Sequence, residues 1–158
     1  MRDEAGTGYR QLIAWQKAID LVEAVYRLTS SWPREELFGL TSQIRRAAAS
    51  VPANIAEGRG RTSSKEYAHH LSIAYGSLCE IETYLTIASR LGYIDPTTYE
   101  TSNERTTEVA RVLRGLMKRV QADSSALHET EVDYNPFLTP HASRLTPIAR
   151  RDNDVARG

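Results

Sequence analysis

The chain has 158 residues, with 20 Lys and Arg balancing 20 Asp and Glu and 41% apolar residues, a length and mix that suit one soluble domain with a sizeable core. A single cysteine, Cys79, excludes an internal disulfide framework and a cysteine-built zinc cluster. Apolar runs fall far short of the roughly 18 residues of a membrane helix, and zero net charge means that any nucleic-acid contact must come from a local patch.

The opening Met1-Arg2-Asp3-Glu4-Ala5-Gly6 has no apolar segment of signal-peptide type. The expectation is a cytoplasmic protein with no membrane partner and a flexible N-terminus over residues 1–8. The first helix then spans about Tyr9 to Ser30. Leu12, Trp15, Ile19, Val22 and Tyr26 recur at steps of three and four, which places them on one face. Trp32-Pro33 stops it, because the residue before proline is pushed out of the α region. A second helix is expected over Leu37–Ala56, kinked near Ala48–Pro52 by the missing proline donor. Gly58 is read as its left-handed cap.

The third helix has the clearest start. Ser63-Ser64-Lys65-Glu66 fits a capping box, and Gly92 stands where a C-terminal cap glycine belongs after about Arg90. Asp95-Pro96 opens the fourth, with Asp as N-cap and Pro at the first helical position. It is expected to reach about Gln121, with Val109, Val112, Leu113, Leu116, Met117 and Val120 as its apolar side. From about Thr130 the composition shifts and Pro136, Pro140 and Pro147 interrupt the chain. Residues 9–122 therefore form the bundle, and 123–158 a largely disordered tail. The alternative is an extended tail that docks Phe137 and Leu138 on a neighbour. The fold expected is all-α, an antiparallel up-down four-helix bundle with a disordered or extended C-terminal tail.

On the second helix, Leu40, Ile44, Ala47, Ala48, Val51 and Ile55 share one arc. Beside it runs a polar stripe of Gln43, Arg46, Ser50, Asn54 and Glu57. Gln, Ser and Asn both donate and accept hydrogen bonds, which suits a boundary that becomes partly buried. The competing reading is a solvated flank. On the third helix the main apolar stripe is Tyr67, Leu71, Ala74, Tyr75, Leu78 and Leu85, with Glu82 in its middle. A carboxylate there needs a partner or a place at the rim; Arg46, Asn54 and Gln43 are the candidates. The opposite side carries Ile73, Glu80 and Ile87, with Gly76 close by. A helix apolar on two sides is usually buried on two sides, which points to a subunit interface.

Arg45, Arg46, Arg59, Arg61 and Lys65 face only Glu57 across residues 45–65. Gly58-Arg59-Gly60-Arg61 leads into a helix N-terminus, where exposed N–H groups and arginines suit phosphate. No Gly-Lys-Ser/Thr ends it, so it is not a Walker loop, and a plain solvated loop is the rival reading. Arg111, Arg114, Lys118 and Arg119 add a second basic group. Glu66-Tyr67-Ala68-His69 is a lone Glu-x-x-His, whereas di-iron bundles need two plus further glutamates. No metal or cofactor is expected. Cys79 is read as a small packed residue rather than a nucleophile. Without a nucleophile or dinucleotide signature, the expectation is a protein that is not an enzyme. Glu80 and Glu82, as a perturbed carboxylate pair, are the remaining catalytic candidates.

Three blocks resemble one family. Leu12-Ile13-Ala14-Trp15-Gln16-Lys17-Ala18 is similar to its opening. Residues Glu36 to Ala47 and Ser50 to Gly58 resemble its central signature, and Leu71 to Thr83 its third block. This is the bacterial four-helix bundle family, also called the 23S rRNA intervening-sequence protein family, to which accessory proteins of diversity-generating retroelements also belong. The resemblance covers about residues 10–120. It implies an antiparallel bundle, a barrel-shaped homopentamer and no enzymatic activity. Retroelement members are strongly basic, bind nucleic acid and associate with a reverse transcriptase, whereas this chain is neutral. The resemblance thus implies RNA or DNA and a reverse transcriptase as candidate partners. The stripe Gln43, Arg46, Ser50, Asn54 and Glu57 and the pair Glu80 and Glu82 coincide with signature positions. The function expected is a homo-oligomeric scaffold or nucleic-acid-associated accessory protein; the alternative is a protein-only interaction module acting through its surface or tail.

Overall fold

The structure, a computed structural model, describes residues 8–133, with side-chain environments through residue 125. Expectations for residues 1–7 and 134–158, including Phe137 and Leu138, lie outside the described residues. A 3-10 turn at Tyr9–Gln11 precedes α1 (Ile13–Thr29). A second 3-10 turn, Arg34–Glu36, leads into α2 (Leu40–Arg59), which is followed by α3 (Ser64–Arg90) and α4 (Pro96–Asp133). Each helix packs on its sequence neighbour, and α4 closes back on α1, with no diagonal pair of helices in contact among the described residues. Short loops and neighbour-only packing define an antiparallel up-down four-helix bundle.

The helix ends follow local chemistry. Ser63 Oγ accepts the Glu66 N–H at 3.1 Å and starts α3. Asp95 accepts the Thr98 N–H at 3.0 Å, while the Thr98 hydroxyl donates to its other oxygen at 2.6 Å. Those bonds hold the Asp95 carboxyl below its ordinary pKa. Gly92 takes a positive φ of 75°, a conformation that glycine adopts at no steric cost. Glu36 does the work at the start of α2. One carboxylate oxygen accepts the Leu40 N–H at 2.8 Å and the other accepts the Tyr93 hydroxyl at 3.0 Å. Trp32 packs beside Tyr93, ring centroids 6.0 Å apart. The two turns at this end of the bundle are thereby joined.

Three expectations are corrected here. The stripe Leu12, Trp15, Ile19, Val22 and Tyr26 meets the core only in part: Leu12, Trp15 and Val22 pack against it half-buried. Ala14, Ala18, Leu21, Val25 and Thr29 are buried instead, while Ile19 and Tyr26 are exposed. The small alanines let neighbouring helices approach, which leaves the larger side chains on the flank. Gly58 is not a cap: it lies within α2 with no positive φ. A Cβ there would sit 2.8 Å from His70 Cβ and from Tyr67 Cδ2, so glycine is required by the close approach of α3. Helix α4 extends to Asp133 rather than ending near Gln121, because no proline or glycine interrupts residues 122–133.

The core is contributed by all four helices. Ile44, Ile55, Leu71, Leu78, Ile81, Leu85 and Leu113 are fully buried, each contributing about 1.5–3 kcal/mol of transfer free energy. Proline is accommodated within α2: Pro52 is buried inside an unbroken helix, and its missing N–H withholds the helical bond from the Ala48 carbonyl.

The Gly58 contact yields a direct test. Gly58→Ala is expected to destabilise the bundle by about 1–3 kcal/mol through overpacking against Tyr67 and His70. Gly60→Ala, whose added Cβ would meet only the Glu57 and Ala56 carbonyl oxygens, at 3.4 and 3.8 Å, is the control. Urea denaturation of both variants reads the difference, and equal midpoints would mean that α2 and α3 are not so tightly apposed.

Candidate functional site: the α2–α3 seam and the basic end of the bundle

Part of the polar stripe on α2 lies at its seam with α3. Asn54 Nδ2 donates to the Ser50 carbonyl at 2.9 Å and to Ser50 Oγ at 3.0 Å. Ser50 Oγ lies 2.9 Å from Ser77 Oγ of α3. Asn54 Oδ1 stands 3.2 Å from His70 Nδ1, so this geometry places the ring proton on Nδ1 and leaves Nε2 as the acceptor in the neutral ring. His70 Nε2 is 3.8 Å from Glu57 Oε1, too long for a hydrogen bond and acceptor to acceptor in this tautomer; Glu57 pairs with Arg61 one helical turn on. A polar ladder of hydrogen bonds therefore joins Ser77, Ser50, Asn54 and His70 across the seam, half-buried apart from Ser77, which is buried; the exposed pair Glu57 and Arg61 lies next to its end at the α2–α3 loop. Gln43 and Arg46, at the other end of the stripe, are exposed and stand outside the ladder.

The five cations of residues 45–65 do not form one cluster. Arg45 turns to α1: its Nε donates to Thr29 Oγ1 at 2.8 Å, and its guanidinium lies 4.7 Å from the Tyr26 ring centroid. Arg45 and Arg46 are separated from Arg59 by about 20 Å along α2. Arg59, Arg61 and Lys65 remain together around the α2–α3 loop, all exposed. Tyr67 underlies them. Its hydroxyl is buried without a hydrogen-bond partner. Burial pushes its pKa up, while Arg59 and Arg119 pull it down. Arg119 of α4 therefore reaches the same end of the bundle as Arg59, a juxtaposition that the separate sequence patches did not reveal.

The carboxylates on α3 also differ from expectation. Glu82 is half-buried and lines a groove of about 480 Å³ between α3 and α4, beside Arg111, Arg114 and Lys118. It does not face Arg46, Asn54 or Gln43 on α2. Leu78, Ile81 and Leu85 hold the core line, and one further residue rotates the side chain about 100° toward α4. Arg114 bonds the Tyr75 hydroxyl and lies over its ring at 4.9 Å. Glu80 is exposed on the outer side. Cys79 is exposed as well, which corrects its reading as a packed residue. Among the described residues, no group of three or more His, Cys, Asp and Glu could hold a metal ion, and no helix is long and apolar enough to cross a membrane.

Sequence reasoning passed over the opening turns of α4. Thr97, Thr98, Thr101, Ser102 and Thr106 border a cavity against α1. The available signal was their hydroxyl character at helical spacing, on the side where apolar residues would normally close the seam.

Fold and polar ladder together define an antiparallel four-helix bundle with a hydrogen-bonded α2–α3 seam and a basic end. The family model for the 23S rRNA-intervening sequence protein matches residues 10–115, and the chain belongs to that family. A solved structure from Bacteroides thetaiotaomicron VPI-5482, described as a protein with unknown function from the S23 ribosomal protein family, is similar over 67% of this chain and 96% of its own length. The identity is 27% and the TM-score 0.63. No curated protein matches the chain.

The ladder is tested by Asn54→Ala, which removes the bonds to Ser50 and leaves His70 Nδ1 without its partner. A loss of about 1–3 kcal/mol is expected, read by thermal or chemical denaturation. Gln43→Ala, outside the ladder, is expected to stay within about 0.5 kcal/mol of the parent; equal effects would remove the ladder's structural role.

Proposed function

We propose that this chain is a non-enzymatic, self-associating helical scaffold with a nucleic-acid-associated role. The observation that carries self-association is the outer flank of α3. Ile73 and Ile87 are 41% and 39% exposed, with exposed Gly76 between them. Ile19 and Tyr26 add apolar surface on the flank of α1. A bundle of this kind hides such residues by packing against another copy. The homopentamer implied by the family resemblance is the expected stoichiometry. Light scattering of the full chain should give a mass several times 17.7 kDa. Ile73→Lys combined with Ile87→Lys should reduce it to the monomer. A monomeric parent would overturn the proposal.

The accessory role rests on Arg59, Arg61 and Lys65 at the α2–α3 loop, with Arg119 arriving from α4. Cations on two elements converge at one end, next to the N-terminus of α3, an arrangement that favours phosphate. Binding to a structured RNA oligonucleotide should weaken as salt rises. Replacing Arg59 and Arg61 with Gln should lower the salt slope by about 1 per lost phosphate contact. Salt-insensitive binding, or binding unchanged in that variant, would count against the basic end. The second reading, a protein-only interaction module, is favoured by Phe38, which is 92% exposed beside exposed Leu37 at the opposite end of the bundle.

A further inference from the structure

A cavity of about 470 Å³ opens between the second half of α1 and the first turns of α4. It adjoins a smaller one of about 330 Å³, and Asp20, Leu21 and Arg105 line both. The first cavity lies within the range of small-molecule sites, about 300–1,000 Å³. Its floor is formed by buried Leu21, Val25 and Leu85.

The α4 wall is hydroxylic. Thr101 Oγ1 donates to the Thr97 carbonyl at 3.0 Å, Thr106 Oγ1 to the Ser102 carbonyl at 3.0 Å, and Thr98 Oγ1 to Asp95 at 2.6 Å. With their protons engaged, the accessible Thr98 and Thr101 oxygens keep lone pairs to offer a donor, while Thr106 is fully buried behind them. Thr and Ser are weaker helix formers than Ala or Leu. Apolar residues here would both strengthen α4 and close the seam.

The charges around the cleft are sorted. Glu23 pairs with Arg27, and Lys17 with Glu108 at 2.6 Å. The side chains of Asp20 and Arg105 make no hydrogen bond or ion pair among the described residues, although both line the same cleft. One carboxylate and one guanidinium thus stand uncommitted over an apolar floor.

We infer that the α1–α4 cleft binds a small zwitterion with an apolar side chain, an α-amino acid. Asp20 and the wall oxygens receive its ammonium, Arg105 its carboxylate, and Leu21, Val25 and Leu85 its side chain. A cation or an anion alone would satisfy one of the two uncommitted charges, whereas a zwitterion satisfies both. The inference is independent of self-association and of the basic end.

The test is calorimetric titration of the full chain with L-leucine, with amide NMR shifts to locate the site. Saturable binding with one ligand per chain is expected, with shifts on α1 and α4 around Asp20 and Arg105. Asp20→Asn and Arg105→Gln should each weaken leucine about tenfold or more, since each removes a charge-assisted contact. Two truncated probes separate the roles. 4-Methylpentanoate, which is leucine without the ammonium, should bind the Asp20→Asn variant no worse than the parent but lose affinity to Arg105→Gln. Isoamylamine, without the carboxylate, should behave in the opposite way. Both replaced residues are exposed, and circular dichroism confirms that the variants remain folded. No saturable binding of leucine or phenylalanine at about 10 mM, or leucine binding unchanged in both variants, overturns the inference. So does binding whose shifts fall on other helices.

Discussion

The close approach of α2 and α3 is the constraint on which the other features depend. Gly58 has no side chain because Tyr67 and His70 occupy the space a Cβ would need. That contact places His70 within reach of Asn54 and sets the register of Ser50 against Ser77. Register between helices is often left to apolar packing, which tolerates sliding. Here directional hydrogen bonds accompany buried Ala47, Ala48 and Val51, and a shift by one turn would leave several half-buried polar atoms unpaired. The same approach carries Arg59 and Arg61 to the mouth of the α2–α3 loop, so the basic end is a product of the packing as well as of the loop sequence.

Much of the fold was legible in the residues. Ser63 with Glu66, Asp95 with Pro96, and Gly92 marked helix ends by chemistry that acts within one turn, and the structure has those ends. The arc of Ile44, Ala47, Ala48, Val51 and Ile55 was readable because its apolar residues were all on one side. The face of α1 was misread for the opposite reason. Trp15, Ile19 and Tyr26 outweigh Ala14 and Ala18 in hydrophobicity, yet burial there is decided by how near the neighbouring helices come. Gly58 shows the same limit, since its need for a bare Cα comes from α3 and not from its own backbone angles.

The candidate site was legible in residue type and less so in grouping. Ser50, Asn54 and Glu57 were recognisable as side chains suited to a boundary, but their partners His70 and Ser77 lie on another helix. Five cations close in sequence became two groups because a helix of this length separates its ends widely. Glu82 faces the arginines of α4 because one residue beyond the core line turns it away from α2. These outcomes are set by rotation and distance between helices, which a single sequence encodes only through its packing.

The Glu36 carboxylate spans two turns that are far apart along the chain. It receives the first amide of α2 through one oxygen and the Tyr93 phenol of the α3–α4 turn through the other. The bundle's two hairpins are thus riveted at one tip by a single side chain. A displacement of the α3–α4 turn would be transmitted to the start of α2, so these loops behave as one hinge plate rather than as two independent flaps.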